Sequence, residues 1–185
     1  MATTPGLSLL RVAPLLSSTA SLSMTLCEEV YFRPFGTPAA SLRPQANRLL
    51  RAHVKSFGVY SMAMTLSFYS LSIGTAIANL TVRDGGLELS KLSSSGGAGA
   101  SPQSSRLAAG LYLAGAIFNA LHFAFAPRDL ALIEVVMDEG KVDADKGKDN
   151  CTAMAYWVSM NVVRGSVADL PGMVCSLLGF IAAMA

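Results

Sequence analysis

Polar residues interrupt the apolar runs of this chain at only a few places. Residues 56–82 and 107–127 contain no Asp, Glu, Lys or Arg. Each run exceeds the roughly 18 residues that mark a membrane-spanning helix. Similar apolar stretches lie near both ends, so the pattern predicts four helices at about residues 7–32, 47–82, 106–127 and 153–185. The expected fold is all-α: a single domain over residues 1–185, built as an integral membrane four-helix bundle.

The segments between the runs are polar. Residues 34–51 hold Pro34, Pro38 and Pro44 with several arginines and read as a loop. Residues 83–105 include SSSGGAGASPQSS, a flexible connection by composition. Beyond Pro127, Leu130, Ile133 and Val136 recur at helical spacing and predict an amphipathic continuation over residues 129–138. The stretch MDEGKVDADKGKDN then reads as a solvated loop. Basic residues concentrate in the first and third connections, which places both termini on the non-cytoplasmic side by the positive-inside rule.

Composition narrows the class further. Charged residues make up 14% of the 185, against about 25% in soluble domains. The net charge of +2 and the lack of a Lys/Arg patch interleaved with aromatics exclude nucleic acid as a partner. Cys27, Cys151 and Cys175 are odd in number and scattered, so neither a disulfide framework nor a metal site is expected. No cofactor motif is present either. Membrane lipid and an apolar small molecule are the partners this composition suits.

Chemistry is sought where polar side chains fall inside the spans. The last run holds Asn161, Arg164 and Asp169. Insertion scales put a charged side chain at the bilayer centre at about 2.5–3.5 kcal/mol, so such groups normally face a protein interior or wet cavity. At about 100° per residue, Trp157, Asn161 and Arg164 fall within about 60° of one another, with Asp169 about 80° to the other side of Asn161. Arg164 is open to two roles: pairing with a carboxylate to hold the bundle together, or acting on a substrate.

The first helix is rich in small hydroxylated residues suited to close packing, with Arg11 near its start placed to reach the headgroups. It ends on Glu28 and Glu29, which lie about 100° apart, so at most one faces the bundle. That one either pairs with a base or serves as a proton donor. On the third helix, Asn119 and His122 share a face, and His122 either bonds a neighbouring helix or transfers protons. Tyr60 adds aromatic surface to the second helix.

The W-x-x-x-N-x-x-R pattern at Trp157, Asn161 and Arg164, the ASLSMTL stretch of the first helix and the FAFAP ending of the third resemble the anthrone-oxygenase-like family. These are small four-helix membrane proteins from fungal secondary-metabolite clusters. The resemblance implies a cofactor-free enzyme acting on an apolar polyketide-type intermediate, with Asn161 and Arg164 lining its cavity. Two features depart from the family. The second helix opens on VKSFGVYSMAM where those proteins have a Tyr/His-rich segment ended by proline, and Glu28 and Glu29 stand where they have an apolar stretch.

Those departures favour cyclisation of an apolar intermediate in the endoplasmic reticulum membrane. Glu28 or Asp169 would be the acid, His122 an acid or base, and Arg164 with Asn161 would stabilise charge developing on oxygen. Asn119, Trp157, Asn161 and Tyr60 would form the substrate wall. The first alternative is oxygenation, with His122 removing a carbon-bound proton before dioxygen adds. The second is a non-catalytic membrane subunit within a hetero- or homo-oligomer.

Overall fold

The structure, a computed structural model, describes residues 5–82, 102–139, 145 and 147–185. Most of the Gly/Ser-rich connection, and residues 140–144 and 146 of the acidic-basic loop, lie outside the described residues. Helix α1 is Pro5–Gly36, and α2, Arg43–Thr81, follows a single 3-10 turn at Ala40–Leu42. Helix α3, Pro102–Leu121, passes through a 3-10 turn at His122–Phe125 into α4, Ala126–Met137. Helix α5, Asn150–Arg164, passes through a π-helical turn at Gly165–Asp169 into α6, Leu170–Met184.

These elements form four spans, each long and apolar enough to cross a membrane. At most 39% of the most apolar window of any span is buried. The majority of each window therefore faces outward, as lipid requires and water does not tolerate. The amphipathic continuation expected after Pro127 is present as α4. Helix α2 begins at Arg43, before the expected start near residue 47, because Pro44 suits a first turn, where a missing N–H costs nothing. Helix α1 likewise runs on through Pro34 to Gly36.

The bundle interior is layered. One end is plugged by Phe32, Leu50, Val54, Met154, Trp157 and their neighbours. The other is plugged by smaller residues, Ala76, Ala108, Ala109 and Ala116 around Tyr112 and Leu80. Between the plugs lies a layer of buried polar side chains, described below.

Prolines inside spans require replacement partners. Pro14 has no N–H to give the carbonyl of Leu10, four residues back, and Asn79 Nδ2 of α2 donates to that carbonyl at 2.7 Å. Most of the first helix's hydroxyls turn back onto their own helix: Ser17, Ser18, Ser21 and Ser23 each donate to a carbonyl four residues earlier. Arg11 does not reach for headgroups. It is buried, and its Nη1 donates to Ala183 O at 2.8 Å, placing a cation at the C-terminal end of α6.

At the opposite face, Asp149 caps α5 and ties it to α2. Its carboxylate accepts from Arg43 Nε at 2.8 Å and Nη2 at 2.7 Å, from Asn47 Nδ2 at 2.9 Å and from Thr152 Oγ1 at 2.6 Å. Burial would raise the pKa of this carboxyl, but the bonds from Arg43, Thr152 and Asn47 outweigh it and hold the group below the usual carboxylate range.

Two measurements on detergent-solubilised protein check this packing. A Cβ on Gly36 would stand 2.9 Å from Ala155 Cα, a backbone atom, whereas one on Gly74 meets nothing within 4 Å. Gly36→Ala is expected to destabilise by about 1–3 kcal/mol and Gly74→Ala not at all, read by thermal unfolding. Because the Asp149 carboxyl has a lowered folded pKa, its contribution is complete above the unfolded value of about 3.9 and is lost as pH falls toward the folded one. Asp149→Asn should remove part of the protein's acid sensitivity over that range.

Candidate active site

Arg164, fixed at the C-terminal end of α5, organises the polar layer. Its Nη1 donates to Asp129 Oδ2 at 2.6 Å and its Nη2 to Glu28 Oε2 at 3.2 Å, while Nη2 also donates to Asn161 Oδ1 on its own helix. All four residues are at least nine-tenths buried. Glu28 takes a further hydrogen bond from Ser61 of α2. Asn161 Nδ2 donates to Thr25 O at 3.0 Å, so the amide both orients Arg164 and joins α5 to α1.

Asp169 lies at the far end of the π turn. On an uninterrupted α-helix, residues 164 and 169 would be about 140° apart. The i to i+5 pattern of a π turn brings residues five apart onto one side, and Arg164 Nε stands 3.9 Å from Asp169 Oδ2. Pro171 contributes to this local geometry, since it offers no N–H to the carbonyl of Val167. Gly165 lets α1 approach: a Cβ there would meet Thr25 Cγ2 at 3.2 Å.

Asp169 Oδ2 accepts from Thr25 Oγ1 at 2.8 Å, and Oδ1 lies 2.9 Å from His122 Nδ1. An ionised carboxylate only accepts, so Nδ1 is the donor nitrogen of this contact. The ring is held from its face by Tyr69, with centroids 3.8 Å apart. His122 begins the 3-10 turn that precedes Pro127. That proline has no N–H for the carbonyl of Phe123, and the backbone tightens to i+3 bonds instead.

A cavity of about 530 Å³ adjoins this layer, within the range of small-molecule sites. Glu28, Ser61, His122, Asp129, Trp157 and Arg164 are on its wall, which is otherwise largely apolar. The arrangement provides a tautomerically fixed imidazole, a carboxyl group and a guanidinium along one side of an apolar chamber. Such a set can move a proton and stabilise charge on a developing oxygen. Among the described residues, no group of three or more His, Cys, Asp or Glu could hold a metal ion.

The predicted residues divide into three sets. Glu28, His122, Arg164 and Trp157 line the cavity. Of the two glutamates, Glu28 turns inward, and Glu29 instead takes a hydrogen bond from Arg33. Asn161 and Asp169 are buried behind the wall, bonded to Arg164 and His122 respectively, and neither lines the cavity. Asn119 and Tyr60 are corrections. Asn119 faces α6, where Gly172 leaves room for its amide at about a Cβ's distance, and Tyr60 is 71% exposed because Ser61, one residue on, takes the inward position.

The sequence presents Asp129 only as the start of an amphipathic segment, yet it is one of the two carboxylates on Arg164. A signal was present: Asp129 lies seven residues, two helical turns, beyond His122. Removing Arg164 would leave Glu28 and Asp129 facing each other without a cation. Arg164→Ala is therefore expected to cost about 3–5 kcal/mol in unfolding free energy, more than Glu28→Gln, and to be partly offset by adding Asp129→Asn.

No family model matches the chain, and no solved structure matches it. Among curated proteins it is 30% identical over 188 residues, the whole of both chains, to a protein named epoxidase gkaX from Penicillium citrinum. It is 28% identical to the probable epoxidase scpX of Mollisia scopiformis, covering 95% of this chain and 96% of that one. It is 27% identical to epoxidase pydX from an Acremonium species, covering 96% of each. The chain belongs to one family with these fungal epoxidases, in keeping with the anthrone-oxygenase-like resemblance carried by Trp157, Asn161 and Arg164.

Proposed function

We propose that the protein is a membrane-embedded enzyme of fungal secondary-metabolite biosynthesis that epoxidises a carbon–carbon double bond of an apolar intermediate. The reading is supported by full-length similarity to proteins named epoxidases. The observation that carries it is the cavity bounded by apolar side chains with the Asp169-held imidazole on its wall. In the overall balance, one atom of dioxygen becomes the epoxide oxygen and the other leaves as water. Two electrons and two protons come from a reductant outside the chain.

His122 Nε2 exchanges protons with the oxygen species, and Asp169 stabilises the imidazolium that forms while fixing its orientation. Arg164, held by Asp129 and Glu28, stabilises negative charge as the oxygen–oxygen bond breaks. The apolar wall positions the alkene and keeps water from the reactive oxygen. By the positive-inside rule, both termini lie on the non-cytoplasmic side of the endoplasmic reticulum membrane.

Cyclisation is the second reading, favoured by Glu28, a carboxyl on the cavity wall placed to protonate a substrate oxygen and trigger ring closure. Labelled dioxygen supplied to membranes containing the protein separates the two. Epoxidation gives a product with one labelled oxygen atom and stops without dioxygen. Cyclisation leaves the substrate's mass unchanged and proceeds anaerobically. With either chemistry, His122→Ala is expected to lower kcat by about 10² or more without disturbing assembly, checked by size-exclusion chromatography. Retained turnover in His122→Ala, Glu28→Gln and Arg164→Ala alike, with normal assembly, would move the protein to the class of non-catalytic subunits.

A further inference from the structure

The cavity wall carries one charged group that no described residue neutralises. Glu28 and Asp129 each accept from Arg164, and His122 bonds Asp169. Lys55, also on the wall, is exposed and has no ion-pair or hydrogen-bond partner among the described residues. It sits on α2 next to Val54, and of the α2 residues on the wall these two are nearest the helix end that carries the Arg43 to Asp149 clamp. Six residues along α2 from Lys55 is Ser61, about 9 Å deeper, and ten residues along is Thr65, about 15 Å deeper.

The side of the cavity is open. Val59, Met62 and Leu66 of α2 and Leu130 of α4 all line it, yet each is between 46% and 71% exposed. A cavity-lining residue exposed to that degree stands at a mouth. Apart from Lys55 at its end, this mouth is apolar and lies within two spans, so it faces hydrocarbon. Gly58 lies beside it, and a Cβ there would meet nothing within 4 Å.

We propose that the cavity takes an amphiphile with an apolar chain and an anionic head, which enters sideways from the bilayer between α2 and α4 and pairs its head with Lys55. The proposal rests on the reading of this cavity as the substrate site and adds the substrate's chemical class. Head-group pairing sets the register, so the reacting carbon lies between Ser61, about 9 Å from the anion and bonded to Glu28, and Tyr69, about 21 Å from it and stacked on His122. The apolar chain never crosses water, and the anion never leaves the interface.

Trp157, the single tryptophan of the chain, lines the cavity and reports its occupancy. The test measures quenching of Trp157 fluorescence, in neutral phosphatidylcholine nanodiscs, by a dibrominated long-chain fatty acid and by its methyl ester at equal mole fractions. Saturable quenching is expected, with the acid bound at least about threefold tighter than the ester. Lys55→Gln should equalise the two, Lys55→Arg should keep the preference, and Gly58→Leu, which fills the mouth, should reduce quenching by both. Equal binding by the wild type, a preference that survives Lys55→Gln, quenching unchanged in Gly58→Leu or no saturable quenching at all would each overturn the proposal. These are binding measurements, so a failure of the labelled-dioxygen experiment leaves them standing and identifies the reaction, not the ligand class, as the error.

Discussion

A guanidinium in the middle of a bilayer-spanning helix has to be surrounded by acceptors, because hydrocarbon offers none and desolvation costs several kcal/mol. Arg164 meets that demand with groups drawn from three spans: Glu28 from α1, Asp129 from α4 and Asn161 from its own helix. The helices can satisfy it only in one rotation and one register about each other. Apolar packing against lipid-facing helices is permissive, since lipid tails are as apolar as leucine. The polar layer supplies the specificity that packing lacks, and the apolar plugs above and below keep that layer dry.

Backbone irregularity follows from the same demand. The π turn at Gly165–Asp169 and the 3-10 turn at His122–Phe125 lie at the height of the layer and carry or flank its charged members. A regular α5–α6 span would turn Asp169 away from Arg164 by about 140°. The π turn removes that separation, and Asp169 then serves the guanidinium and the imidazole together. Prolines at 127 and 171 interrupt the helical bonding where these turns occur, so the sequence encodes the irregularity locally even though its purpose is tertiary.

Much of the architecture was legible. Four uncharged or nearly uncharged runs of spanning length specify four helices, and the scarcity of charge inside them directs attention to Glu28, His122 and Arg164, all of which reach the cavity. Angular arithmetic chose inward faces well where the helix was regular, as at Trp157, Asn161 and Arg164. For Asp169 it gave the inward side but not the closeness to Arg164, because a uniform 100° step cannot represent a π turn. Aromatic character alone does not place Tyr60, because helical phase turns Ser61 inward and Tyr60 outward. Asp129 escaped because it lies beyond Pro127, outside the apolar run, and only the third dimension shows that α4 prolongs the same span inward.

The cavity adjoins just one flank of the polar layer, and this asymmetry separates roles among chemically similar side chains. Glu28 and Asp129 reach the cavity wall, each with an oxygen tied to Arg164; Asp169 lies behind it with both oxygens committed to Thr25 and His122. A carboxylate so committed can orient a base but not meet a substrate. Three carboxyl groups within one buried cluster are thus not three equivalent acids. Glu28 and Asp129 clamp the guanidinium, and Asp169 holds the imidazole by Nδ1, which leaves the ring's other nitrogen, Nε2, outside that pairing.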